Sequence, residues 1–176
     1  PCYPNFIRYL EGKPVFVDLR EEDGFVYRPS LIAENISPRT AGIMINSPGN
    51  PTGMVTPPDR LKEISSLGPP VISDEIYHGL VYEGIAHSIL EFTDRCFVLN
   101  GFSKRYAMTG WRIGYLIAPD EFMWPLQKVQ QNFQISVNTF IQYGALAALK
   151  DPSVEEDVQR MVETFDKRRK YMIKRL

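Results

Sequence analysis

The chain has 176 residues, 44% of them hydrophobic and 23% charged, with a formal net charge of −1, a composition that suits one globular domain with a sizeable core. This balance carries no basic stripe for nucleic acid and no apolar run of the roughly 18 residues a membrane helix needs, so neither a nucleic-acid nor a membrane partner is expected. Two cysteines, Cys2 and Cys96, are too few for a disulfide framework and fit a reducing, cytoplasmic setting.

In chain order, residues 4–11 read as a short helix and 15–19 as a strand. Residues 41–46 (AGIMIN) form a nearly unbroken apolar run, as expected of a strand covered on both faces. The run ends in SPGNPTG, whose Pro and Gly residues force a loop. Residues 57–66 read as a helix, with Thr56 as its candidate N-cap and Pro57 or Pro58 in its first turn. Strands follow at 71–73, 96–100 and 114–118, then helices at 120–132, 138–150 and 154–176. Short β-rich runs alternating with helical patterns point to an α/β fold, a mostly parallel sheet sandwiched by helices. In three places an apolar strand runs into a polar loop with unusual residues, and carboxyl ends of strands in open α/β sheets are where ligands bind.

The first such loop carries Asn50, set between two Pro and two Gly residues. It is either a plain turn or a rigid mount that presents one amide, since Pro51 restricts Asn50 to extended geometry. The second carries Asp74 and Tyr77 in SDEIYHG. Asp74 is either a helix cap or a carboxylate at a strand end, where burial demands a partner. Glu75 reads as structural, and His78 as a packed or hydrogen-bonded histidine without an assigned role. The third is GFSKRYAMTGWRIGY, with Ser103, Lys104 and Arg112. Lys104 alone could be a solvated charge. Arg112, bracketed by Gly110 and Gly114, suits bidentate binding of phosphate. No metal site is expected.

Together and in this order, NSPGNPTG, SDEIYHG and SKRYAMTGWRIGY resemble the class I/II aminotransferases, of the fold type shared with aspartate aminotransferase. The likeness runs over essentially the whole chain. It implies a pyridoxal 5'-phosphate enzyme that moves an amino group between an L-amino acid and a 2-oxo acid, small-molecule partners, and a homodimer at full length. By the same resemblance Lys104 forms the Schiff base and shuttles the proton. Asp74 pairs with the pyridine nitrogen, Asn50 and Tyr77 hydrogen-bond the phenolic oxygen, and Arg112, with Ser103 assisting, holds the phosphate. Relatives often carry a hydroxyl residue where this chain has Gly101, which removes one phosphate contact.

The resemblance also implies a division at 153: residues 1–153 as part of the large cofactor-binding domain, and 154–176 as a helix leading to a small domain outside the sequence. Both ends read as cut. The phosphate-cradling loop, an aromatic that stacks on the ring just ahead of Pro1, and the arginine for the substrate carboxylate are all expected outside these residues. A fragment of this kind is not expected to be fully active alone. Two other readings share the motifs: a carbon–sulfur lyase of the same fold, and an aminotransferase-like sensor domain of a transcription regulator.

Overall fold

A computed structural model describes residues 2–176 of the chain. It opens with helix α1 (Tyr3–Tyr9), with Pro4 in the first turn where its missing N–H costs nothing. A 3-10 turn (Glu21–Asp23) and helix α2 (Pro29–Glu34) follow. Then come β1 (Ile43–Asn46), α3 (Pro58–Ser65), β2 (Val71–Asp74), a 3-10 turn (Ile89–Glu91) and β3 (Cys96–Gly101). A further 3-10 turn (Thr109–Trp111) leads to β4 (Gly114–Ile117), and the chain ends in α4 (Asp120–Phe133), α5 (Thr139–Lys150) and α6 (Pro152–Ile173). No helix among the described residues is long and apolar enough to cross a membrane.

The four strands lie in the order β1-β2-β3-β4. β1, β2 and β3 are parallel, and β4 runs antiparallel to β3, with Gly101 opposite Gly114. The sheet is therefore mostly parallel, as expected. Its residues alternate between two faces. Ile43, Ile45, Val71, Cys96 and Val98 face a core completed by Ile32 of α2, Leu61 and Ile64 of α3, and Ile89. Each fully buried aliphatic side chain there contributes roughly 1.5–3 kcal/mol. On the other face Phe97 meets Phe122 of α4 edge-on, with ring centroids 5.0 Å apart. A second small cluster, Phe102, Met108 and Ala145, packs α5 against the segment that leaves β3.

Two sequence expectations are corrected here. Residues 15–19 are not a strand, since they pair with no other strand among the described residues; Val17 instead packs against the core. Thr56 does not cap α3. The N-cap is Pro57, with φ −61° and ψ 148° and no side-chain cap, while Thr56 is buried and its N–H donates to Ser47 Oγ at 2.9 Å. α2 was not anticipated at all.

The three parallel strands end side by side, Asn46 opposite Asp74 and Asp74 opposite Leu99. Their loops thus emerge along one edge of the sheet, and those loops carry the candidate site.

Candidate functional site

The loop after β1 is spliced to the end of β2 by Asn46. Its Nδ2 donates to the Asp74 carbonyl at 2.9 Å, and its Oδ1 accepts the Asn50 N–H at 2.9 Å. Ser47 adds a backbone bond, donating to the Asp74 carbonyl at 3.1 Å. Tyr27 braces the same point, its hydroxyl accepting from Asn46 N–H at 2.9 Å. Burial pushes the Tyr27 phenol up, a hydrogen bond to the Asn46 backbone opposes this, and the nearby Asp74 carboxylate adds to the rise.

Asp74 itself is half-buried. One carboxylate oxygen accepts the Ile76 N–H at 3.1 Å, and the other accepts from the Tyr3 hydroxyl. Burial first, and then the hydrogen bond to Asp74, hold the Tyr3 phenol well above its ordinary range, so it stays a donor. Asp74, Tyr3, Tyr27, Asn50 and Tyr77 share the wall of a cavity of about 410 Å³. An aromatic is expected ahead of Pro1, outside the described residues. Tyr3, inside the chain, already lines this cavity.

A second cavity, of about 710 Å³, adjoins the first. Ser103 and Lys104 line it, together with Leu80, Phe165 and Arg169, and Asn50 and Tyr77 belong to both walls. Asn50 Nδ2 donates to the Tyr77 hydroxyl at 3.1 Å, and Lys104 Nζ lies 5.9 Å from the centre of the Tyr77 ring. Asn50 and Tyr77 are thus a partition common to both cavities, with Asp74 lining the first and Lys104 the second.

The structure thus gathers Asn50, Asp74, Tyr77, Ser103 and Lys104. Arg112 is placed apart: it is exposed, its backbone is left-handed (φ 54°), and its guanidinium donates to the Thr109 carbonyl at 3.0 Å. Its stem starts from the same strand-end segment as Lys104. Sequence reasoning missed Tyr3, Tyr27 and Asn46. The first two act over 71 and 19 residues and leave no local pattern. Among the described residues no group of three or more metal-binding side chains converges.

Helix α6 closes the second cavity from outside. Glu155 bonds Arg105 at 2.7 Å, and Arg169 bonds Glu83 at 2.7 Å while stacking over the Tyr82 ring at 4.9 Å.

The family model for aminotransferase class I and II matches residues 1–176. The chain belongs to that family. It is 45% identical to a (5-formylfuran-3-yl)methyl phosphate transaminase from Methanocaldococcus jannaschii, over 99% of this chain and 45% of that protein. It is 40% identical to a probable aspartate/prephenate aminotransferase from Aquifex aeolicus, over 99% of this chain and 46% of that one. Its fold superposes on a mutant Thermus thermophilus aspartate aminotransferase with a TM-score of 0.95 at 34% identity, covering 98% of this chain and 49% of that structure. The chain spans about half the length of the curated relatives it matches.

Proposed function

We propose that the full-length protein is a pyridoxal-phosphate-dependent aminotransferase that moves an amino group between an L-amino acid and a 2-oxo acid. The observation that carries this reading is the shared lining: Asn50 and Tyr77 line both the cavity that holds the Asp74 carboxylate and the adjoining one that holds the Lys104 amine. The donor set fits the cofactor. A space of about 410 Å³ is within the roughly 300–1,000 Å³ usual for small-molecule sites, and Asp74 presents an acceptor where a protonated ring nitrogen needs one. When bound, pyridoxal phosphate supplies a protonated ring that takes up the electron pair left at the substrate Cα.

The chain's own residues supply the rest. Asp74 holds the proton on the ring nitrogen. Asn50 and Tyr77 would donate to the ring's phenolic oxygen. Lys104, half-buried against the Tyr77 ring, would hold the group covalently through its amine; once the substrate's own amine had displaced it, the freed neutral amine would take the proton from the substrate Cα and return it. Arg112, whose exposed guanidinium donates to the Thr109 carbonyl, and Ser103 would hold the phosphate. Gly101, where relatives carry a hydroxyl, supplies no side-chain bond.

The names of the relatives support transamination over the lyase or regulator alternatives. The reading brings with it a homodimer, a cytoplasmic setting and the division of the chain at 153. The test is an absorbance spectrum of the full-length protein with added pyridoxal phosphate. A yellow, pH-sensitive band that Lys104→Ala abolishes supports the assignment. The same band in Lys104→Ala would rule it out.

A further inference from the structure

We propose that Glu75 is a positioning residue: its buried carboxylate fixes the turn that carries Asp74 and Tyr77, and so sets where the Tyr77 phenol stands against Asn50. The inference rests on the cofactor assignment above and deepens it.

Glu75 is only 3% exposed. One of its oxygens accepts from the Ser73 hydroxyl at 3.0 Å and from the Ile89 N–H at 2.9 Å. The other lies 3.9 Å from His78 Nδ1, a buried atom with no hydrogen-bond partner among the described residues. A carboxylate is an expensive way to fill space, because its desolvation must be offset by hydrogen bonds. A leucine would pack the same volume without that cost. What only an acceptor provides here is the bond to Ile89.

Ile89 is a fixed reference. It is fully buried in the core. The 3-10 turn it opens is closed by a capping box, in which Ser88 and Glu91 satisfy each other's backbone N–H groups. Glu75 thus measures the site turn against the core across 14 residues of sequence. The main chain of Glu75 is held as well, its N–H by the Leu99 carbonyl at 2.9 Å and its carbonyl by the His78 N–H at 2.8 Å. With the side chain as third anchor, the peptide between residues 75 and 76 has no room to rotate. That peptide supplies the Ile76 N–H that orients Asp74, and Tyr77 follows it directly. Loss of the carboxylate frees the turn and withdraws the phenol from the ring's phenolic oxygen, and the Schiff-base nitrogen then holds its proton to higher pH.

The test reads the pH midpoint of the Schiff-base absorbance change in the full-length protein loaded with pyridoxal phosphate. Glu75→Gln keeps an acceptor for Ser73 and Ile89 and is expected to retain the wild-type midpoint. Glu75→Leu fills the space without an acceptor and is expected to raise the midpoint by about one unit. Thermal melting, recorded alongside, separates this from a stability effect, which lowers the melting temperature without moving the midpoint of the folded fraction. An unmoved midpoint in Glu75→Leu overturns the proposal. So does a shift in Glu75→Gln as large as in Glu75→Leu, which would assign the effect to charge rather than placement. Should Glu75→Leu fail to fold, Glu75→Met, which fills the space with a more adaptable side chain and also loses the carboxylate acceptor for the Ile89 N–H, is expected to raise the midpoint likewise; no shift there overturns the proposal equally. A wild-type protein with no pH-sensitive band would overturn the cofactor assignment and this proposal with it, a result distinct from a normal band with an unmoved midpoint.

Discussion

At Gly79 one added methyl group meets both a left-handed backbone and a side-chain clash. Its φ of +85° lies in the left-handed region, and a Cβ there would sit 1.8 Å from Arg105 Nη1 and 2.8 Å from Arg105 Cζ. Arg105 is not free to yield cheaply. Its Nη2 reaches both oxygens of Glu155 on α6, at 2.9 and 2.7 Å, and its guanidinium lies 5.7 Å from the centre of the Tyr106 ring. Gly79→Ala therefore carries two costs. The left-handed backbone costs an alanine about 1 kcal/mol or somewhat more. Ejecting the half-buried Arg105 forfeits its ion pair with the exposed Glu155 and some packing, worth about 1 kcal/mol. The sum is about 2 kcal/mol. Gly24→Ala is the control, with φ +63° and nothing within 4 Å of its added Cβ, so only the backbone part of about 1 kcal/mol applies. Urea denaturation of the protein measures both. In an Arg105→Ala background the clash is gone, and Gly79→Ala should cost no more than Gly24→Ala. Equal costs for the two glycines in the unaltered background would refute the reasoning. So would a Gly79→Ala cost that Arg105→Ala leaves unchanged.

Asp74→Ala should still bind pyridoxal phosphate but slow the first half-reaction with an amino acid by several orders of magnitude, read by stopped-flow absorbance, because the ring nitrogen loses the anion that keeps it protonated. Arg112→Ala should weaken cofactor retention about 10- to 100-fold in equilibrium dialysis, the scale of one charge-assisted bidentate contact, while leaving urea stability nearly unchanged since the side chain is exposed. Glu91 titrates below its ordinary value of 4.5, held there first by its hydrogen bond to His87 and then by the Ser88 N–H. A lowered carboxylate stabilises the fold above its ordinary value and loses that contribution as pH falls toward the folded value. The stability gap between wild type and Glu91→Gln should therefore be open at pH 6 and narrow as the pH falls below 4.5 toward the lower folded value, by denaturant unfolding at each pH.

The strand-end loops were legible in the sequence because their chemistry is local. Four parallel-sheet or edge strands announce themselves as apolar runs, and each of the three that matter stops at a polar or glycine residue: Asn46, Asp74, Gly101. The residues 15–19 misled because apolar content does not distinguish a strand from an irregular segment that packs without a ladder; Val17 and Leu19 find the core and a cavity wall instead of a hydrogen-bonded neighbour. Thr56 has the chemistry of an N-cap, but Pro58 takes the first helical position and moves the cap to Pro57, leaving Thr56 to the buried side of the loop. α2 is six residues long with Pro29 and Ile32 buried, too short for a helical period to register. The contacts of Tyr3 and Tyr27 depend on the folding together of distant segments, which no local pattern encodes.

The direction of the bond between Asn50 and Tyr77 determines what the partition can offer. The amide donates into the phenol oxygen, so the phenol keeps its own proton for another acceptor, and the amide keeps a second N–H. Donation into the phenol polarises it and strengthens its own donation. Two donors thus remain on one wall without any rearrangement, a surface that favours an anionic oxygen and disfavours a cation. Beside it, on the Asp74 side, a carboxylate favours a protonated nitrogen; on the Lys104 side, an amine waits for an electrophilic carbon. Read across the partition, the order is acceptor, paired donors, nucleophile. That order is met by a flat heteroaromatic ring with a protonated nitrogen on one edge and an oxyanion next to an aldehyde on the other. No one of these side chains specifies such a ring, because a lone strand-end carboxylate caps helices and a lone lysine solvates. The specificity lies in the partition, the Asn50–Tyr77 pair that both cavities share.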